Sequence, residues 1–396
     1  MKLLCVNAGS SSLKFQLYEM PEEISVISGY VEKIGKDDSF YNVKFEGKKT
    51  KVEKPIKDHT EAVKIMLDEL VNYGAVASLD EIKGVGHRIV HGGEKYADSV
   101  VITEEVMKDV EEFTKFAPLH HPGNIAGVQA MQKALPDAVQ VAVFDTAFHQ
   151  TIPKMQYMYP VPMEWYEKYG VRKYGFHGTS HKYITEAMRR KLGKESVNLI
   201  VCHVGSGASI TAVKDSKSYD TTMGLTPLDG LMMGTRSGSI DPSIIKYMID
   251  ESGMSYADID TTLNKGSGLL GICGFNDNRD VEAAIAEGNE NAKLALDMYV
   301  DRIVRYIAEY YLELQGEVDA IVFTAGVLEN GATTRASIIN ALAPLGVKLN
   351  EEVNSAIAGF KEITSGIITT EDSTIPVYVE PTNEELMIIR DTFKYC

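Results

Sequence analysis

The sequence predicts an α/β protein of two domains built as similar halves. Three observations lead there. Strand-like apolar runs alternate along the chain with helix-spaced ones. The 396 residues are enough for two ordinary domains. One strand–turn–strand pattern occurs twice, as CVNAGSSSLKFQL at 5–17 and as VCHVGSGASITAV at 201–213. A large-period echo of this kind points to duplication rather than to a solenoid.

The elements follow in chain order. Strands are expected at 3–6, 85–90, 139–144, 199–203, 321–324 and 376–379, each a short apolar run. Val63, Met66, Leu67, Leu70 and Val71 fall on one helical face. A longer helix is expected over 291–314, with Leu296, Val300, Ile303, Ile307 and Leu314 as its buried stripe. A third string related to the two hairpins, IVFTAGVLENGA, starts at Ile321 and ends in a glycine turn.

Composition excludes several classes of function. With 56 acids against 40 lysines and arginines, the net charge is −16. Such a surface repels nucleic acid and anionic lipid, so neither is expected as a general partner. An anionic substrate must then meet local arginines or lysines. No apolar run reaches the ~18–20 residues of a membrane span. The chain enters a strand-like run at Lys2, so no signal peptide is expected. Cys5, Cys202, Cys273 and Cys396 are scattered, which argues against zinc or a disulfide framework and fits a reducing cytoplasm.

The two Gly/Ser turns carry the first chemical signal. Gly9 to Ser12 lead to Lys14, and Gly205, Ser206 and Gly207 repeat the arrangement. Small residues and free N–H groups allow phosphate oxygens to approach closely. Each turn alone reads equally as an ordinary hairpin; facing each other, the pair would clamp phosphates. A P-loop motif is absent. The string at Gly266, Gly268 and Gly271 fits G-x-G-x-x-G but follows no clean strand, so it reads as a loop. Arg88 and Arg236 sit among glycines, either as forks for an anionic ligand or as structural ion pairs. Eight of the nine histidines cluster near glycines, prolines or strand ends without a metal-ligand spacing. His177 and His181 are four apart, but the intervening GTS disfavours a rigid helix. Asp145 ends an apolar strand, where a carboxylate points into the usual ligand crevice or caps the next segment.

At these residues the chain resembles the family of acetate kinases and related short-chain carboxylate kinases. The matching strings are NAGSSSLKF at 7–15, GHRIVHGGE at 86–94, PLHHPGN at 118–124, FDTAFHQTIP at 144–153, YGFHGTSH at 174–181, GTRSG at 234–238, NDNRD at 276–280, FTAGVLEN at 323–330 and PTNEE at 381–385. The resemblance implies a duplicated actin-like (ribonuclease H-like) fold of two domains with a central cleft. Domain one would cover 1–145 and 385–396, and the nucleotide-binding domain 146–384. It further implies a cytoplasmic homodimer that transfers the γ-phosphoryl group of ATP to acetate, giving acetyl phosphate and ADP. Propionate, butyrate or another phosphoryl donor are the alternatives.

Residue roles carry over by motif. Asn7 and Glu384 resemble the site of Mg2+ (or Mn2+). Lys14, Ser10 and Ser12 would neighbour the phosphates. Arg88 would orient the carboxylate, with Val90, Leu119, Phe176 and Pro227 around the methyl group. Asp145 resembles the catalytic carboxylate, and His177 and Arg236 the groups that stabilise the transferring phosphoryl. His203, Val204, Gly205, Ser206 and Gly207 resemble nucleotide-binding segments, as do Asp277, Asn278 and Arg279. So do Gly326, Val327, Leu328, Glu329 and Asn330. Four positions depart from the family pattern: Ser206 stands for Asn, Ser239 for Asp, Asn278 for an aromatic or Met, and Leu328 for Gly. Three of the four lie on the nucleotide side, so donor choice is the less constrained half of the expectation.

Overall fold

The computed structural model describes residues 1–118, 120–357 and 363–396, which form two compact units. The first is Met1–Gln150, Gly178–Ser180 and Asn383–Cys396; the second is Thr151–His177 and His181–Thr382. Glu384 therefore belongs with the first unit, not with the second as the expected boundary had it.

The first unit contains β1 (Lys2–Ala8), β2 (Ser12–Glu19), β3 (Ile24–Glu32), β4 (Phe40–Phe45), β5 (Lys48–Glu53), β6 (Ile82–Ile89), β7 (Val100–Val101) and β8 (Val139–Phe144). They form one sheet in the order β5-β4-β3-β2-β1-β6-β8-β7. β1 runs antiparallel to β2 and parallel to β6, which is parallel to β8. Alternation along β2 sends Leu13, Phe15 and Leu17 into a core with Ile27, Val31 and Val43. The helix His59–Asn72 adds Ala62, Val63, Met66 and Leu70 to it, and Asp58 caps that helix by accepting from the Glu61 N–H at 2.9 Å. The helix Glu384–Phe393 packs on the opposite face of β6. A Cβ at Gly86 would sit 2.2 Å from Thr392 Oγ1, so only glycine permits that approach.

The second unit contains β9 (Leu199–Val204), β10 (Ala208–Lys214), β11 (Lys217–Thr221), β12 (Ala320–Thr324), β13 (Gly366–Ile367) and β14 (Val377–Val379), in the order β11-β10-β9-β12-β14-β13. β9 and β12 are buried along their whole length. This is the signature of parallel strands covered on both faces. The helix Glu290–Glu313 buries Leu296, Val300, Ile303 and Ile307, the expected stripe. Within each sheet, β3-β2-β1-β6-β8 and β11-β10-β9-β12-β14 have the same pairing order and directions. The two sequence strings are thus the same hairpin in two copies of one plan.

Three local expectations are corrected. The GTS after His177 does form helix: Gly178–Leu192 starts at once, because His177 takes a left-handed φ of +56° and the Gly178 N–H is bound by the Asp145 carbonyl at 2.9 Å. The third string does not repeat the hairpin: after β12 it folds as the helix Ala325–Asn330, which ends at Gly331. Ala325 takes a φ of +66°, and its N–H donates to Glu329 Oε1 at 2.7 Å. The G-x-G-x-x-G string is not a free loop. Gly268, at φ +62°, opens the short helix Gly268–Cys273.

Candidate active site

In the first unit the residues gather where β1, β6 and β8 end. Arg88, on β6, donates from Nε to Asp145 Oδ1 at 3.0 Å and from a terminal nitrogen to Oδ2 at 2.5 Å. Its other terminal nitrogen reaches Asn7 Oδ1 at 3.4 Å. Asp145 follows β8 and is buried at 1% exposure. It caps no helix; both carboxylate oxygens are spent on Arg88. Burial opposes the charge on Arg88, while Asp145 and Glu384 more than restore it and raise the guanidinium pKa. Glu384 opens the helix Glu384–Phe393. Burial, together with Asp145 and Glu385, pushes its carboxyl up to about 7 although Arg88 and Lys14 pull the other way.

The Gly9 turn beside this corner is tightly supported. The Gly9 N–H donates to the Ser12 carbonyl at 2.8 Å, and His59 Nε2 lies 2.7 Å from the Gly9 carbonyl. The helix His121–Ala134 meets the turn through Gly123, whose Cβ would lie 2.4 Å from the Gly9 carbonyl oxygen. Asn124 donates to the Ala8 carbonyl at 2.6 Å and accepts from the Val90 N–H at 3.2 Å. Ser10 is exposed, Ser12 half-buried, and Lys14 stands exposed on β2 directly opposite Asn7. Val90 is buried.

In the second unit the Gly205 N–H closes the turn onto the Gly207 carbonyl at 2.9 Å, with Ser206 exposed at its tip. A Cβ at Gly207 would sit 3.4 Å from His177 Cε1 and Nε2 and 3.6 Å from a terminal nitrogen of Arg236. The turn, the imidazole and the guanidinium therefore converge. His177 Nδ1 and His181 Nε2 share one hydroxyl, Ser209 Oγ, at 2.9 and 2.8 Å. The His203 ring lies 4.2 Å from that of His177, centroid to centroid. Arg236 donates to the Pro227 carbonyl at 3.3 Å and has no carboxylate partner among the described residues. Burial alone lowers its pKa. A half-buried guanidinium without a carboxylate partner is chemically suited to an anion.

The G-x-G-x-x-G segment explains why that arginine is held. The Ser267, Leu269 and Leu270 N–H groups donate to the carbonyls of Thr235, Met233 and Gly234 at 2.9, 3.0 and 2.9 Å. A Cβ at Gly268 would lie 2.0 Å from the Met233 carbonyl oxygen. The glycines clamp the Arg236 loop.

The remaining nucleotide candidates are arranged unevenly. Gly326 faces open space, and a Cβ at Gly205 would lie 3.8 Å from its nitrogen. Val204 and His203 are buried in β9, and Val327 is half-buried. Leu328 is fully buried. Glu329 Oε1 is occupied by the N–H groups of Ala325 and Thr382 and by the Thr324 hydroxyl. Asn330 donates to the Gly326 carbonyl at 2.8 Å. Asp277 forms a closed pair with Arg279, which holds its carboxyl at about 2. Asn278 is buried and donates to Thr334 and Glu282. Ser239 donates to Asp229 at 2.6 Å. Phe176 is buried and Pro227 half-buried; Leu119 lies outside the described residues.

Sequence reasoning passed over Ser209, His59 and Arg335. Arg335 is fully buried and donates to the Leu328 and Glu329 carbonyls at 2.8 and 3.0 Å, closing the end of the helix Ala325–Asn330. None of the three had a sequence signal beyond residue type.

Comparison with known proteins agrees over the whole length. The Acetokinase family description matches residues 2–390. An acetate kinase of Geobacillus kaustophilus is 51% identical over 396 residues, covering 99% of this chain and 98% of that protein. Crystal structures of Porphyromonas gingivalis acetate kinase and of a Francisella tularensis propionate kinase each superpose with a TM-score of 0.93, at 44% and 42% identity. Each alignment covers 99% of both chains.

Proposed function

The chain belongs to the acetokinase family, and from that premise we propose that it transfers the γ-phosphoryl group of ATP reversibly to acetate, giving acetyl phosphate and ADP. It is a phosphotransferase with a carboxyl group as acceptor. The observation that carries the residue assignment is the uncompensated Arg236 guanidinium beside His177 at the Gly207 turn. Charge on a transferring phosphoryl group spreads over three equatorial oxygens, and fixed donors around that plane lower the barrier. Arg236 and His177 are such donors, both within ordinary contact of the Gly207 turn.

Arg88 orients the acetate carboxylate. Acetate is already ionised near neutral pH, so no base is needed to activate it. Asp145 instead holds Arg88 in a bidentate pair, fixing the fork that meets the substrate. By motif, Val90, Leu119, Phe176 and Pro227 are the apolar residues proposed to set the preference for a short acid. The turn residues Ser10, Ser12 and Lys14 steady the phosphates. The segments 203–207, 277–279 and 326–330 bind the nucleotide, with Gly326 and Gly205 offering close approach to their backbone and Leu328, Glu329 and Asn278 acting as its supports.

The acidic corner fits a divalent cation. Asn7 Oδ1 and the Glu384 carboxylate are the hard oxygen donors that Mg2+ prefers, and the Glu384 carboxyl is raised by burial first, with Asp145 and Glu385 adding to it. When bound, Mg2+ or Mn2+ would neutralise charge on the phosphate oxygens. The homodimer and the cytoplasmic setting belong to the same proposal, tested by sedimentation and by cell fractionation. Among the described residues no helix is long and apolar enough to cross a membrane.

The decisive measurement traps acyl phosphate as the hydroxamate, with ATP and acetate, in the parent protein and in Arg236→Ala. We expect product from the parent and a fall in kcat of about 10³-fold or more in the variant, by analogy with arginine fingers. Near-parental turnover in Arg236→Ala would remove that residue's role. A parent that makes no acyl phosphate from any short acid would remove the function.

A further inference from the structure

The Asn7–Lys14 corner occupies only one end of a cavity of about 780 Å³ that extends over the first unit's sheet as far as β5. Strand register explains its lining. Lys14, Tyr30 and Asn42 are directly opposed across β2, β3 and β4, and Ser28, Lys44 and Lys49 across β3, β4 and β5. Period-two alternation turns both rows to the same face.

The outer row contains an arrangement that folding alone disfavours. Lys44 and Lys49 face each other on adjacent antiparallel strands, where Cβ atoms stand ~4.5–5.5 Å apart and like charges repel. Neither of them forms an ion pair among the described residues, while nearby Lys33 and Lys51 are paired with Asp38 and Glu53; Lys14 forms none either, though it acts at longer range on the Glu384 carboxyl. Scarcity of acids is not the reason, since the chain carries a net −16. Residues 33–57 nevertheless hold eight lysines against four acids. The acids in the cavity wall stand away from the pair. Glu32 lies four residues beyond Ser28 on β3, and Glu385 lies beside Cys5 on β1. Lys14 lies two strands from Lys44 and two residues further along, about 12 Å between backbones at the usual strand spacing and rise. A chain of phosphoryl groups offers acceptor oxygens along that span, where a single phosphate would need both side chains drawn in to one point.

We propose that this face is a second anion site that takes condensed phosphate, a chain of two or three phosphoryl groups, either inorganic or the tail of a nucleotide. The opposed lysines grip one end of the chain and Lys14 the other. Tyr30 lies between them, with Lys49 Nζ 5.6 Å from its ring centre. An anion bridging Lys44 and Lys49 would relieve their repulsion.

The test is calorimetric titration of the full chain with sodium tripolyphosphate. The starting protein is His177→Ala/Arg236→Ala, which disables the phosphate donors of the second unit. We expect it to bind about one tripolyphosphate per chain, and the further change Lys44→Gln/Lys49→Gln to weaken that binding by at least roughly tenfold, because charge-assisted hydrogen bonds are lost. The two lysines are exposed, and an unchanged melting curve verifies that the variant is folded. No binding to the starting protein, or equal binding with and without the lysines, overturns the proposal. Titration with ADP separates the sources. A lysine-dependent ADP signal identifies a nucleotide tail, and a lysine-dependent tripolyphosphate signal without one identifies the inorganic chain.

Discussion

At the scale of single residues, Ser209 decides what His177 can do. One hydroxyl carries one proton, so it donates to one imidazole and accepts from the other. A phosphoryl oxygen beside His177 Nε2 requires an N–H there, which leaves Nδ1 as the acceptor in the neutral ring. Ser209 must then donate to His177 and accept from His181. Ser209→Ala should therefore lower kcat by roughly 5–150-fold, the equivalent of ~1–3 kcal/mol for one lost buried hydrogen bond, with the KM for acetate little changed. A KM effect without a kcat effect would count against this role. Gly207→Ala makes the complementary point. Its Cβ meets only ordinary contacts of 3.4 Å and beyond, so the variant should melt like the parent yet raise the KM for ATP or lower kcat, because the methyl takes the phosphoryl group's place. Arg88, His177 and Arg236 stood out in the sequence because a charged or titratable group beside glycine is a legible sign, and Asp145 because it ends an apolar strand. Ser209 did not, because a serine in a strand looks the same whether it bridges two histidines or faces nothing.

At the scale of elements, the paired hairpins were readable because their glycines and serines interrupt apolar runs at fixed places. The clamp around Arg236 was not legible, since the G-x-G-x-x-G string reads as a loop when its use here is close packing. Gly268→Ala should lower Tm by several degrees, combining a left-handed backbone with a 2.0 Å clash, and should lower kcat as the Arg236 loop shifts. Differential scanning fluorimetry beside the kinase assay checks both. The helix Glu290–Glu313 offers a pH test. Glu309 and Glu313 lie one turn apart, with Asp220 of β11 close enough that carboxylate oxygens of all three fall within 4.8 Å of one another. Burial first, then Asp220 and Glu309, raise the Glu313 carboxyl from 4.5 to about 7. Between those values the folded chain holds a proton that the unfolded chain has released, so this group lowers stability as pH rises through that window. The Tm gain from Glu313→Gln should accordingly be larger at pH 8 than at pH 5; an equal gain at both would refute it.

At the scale of the molecule, the α/β class and the duplication were legible because each rests on patterns repeated over many residues. The two sheets share one strand order, which no single motif encodes. Acid preference belongs to this scale as well, since acetate and propionate kinases superpose equally well on the chain. One methylene is worth ~1–3 kcal/mol, so kcat/KM should favour acetate over butyrate by at least about tenfold, and a reversed order would reassign the substrate. The return of Asn383–Cys396 to the first unit has a consequence for biogenesis. Translation at ~5–20 residues per second leaves the N-terminal sheet without its covering helix for tens of seconds after β8 has been made. During that interval β1 and β6 lack the cover of the helix Glu384–Phe393, so synthesis of residues 383–396, rather than emergence of β8, sets when that half can become stable.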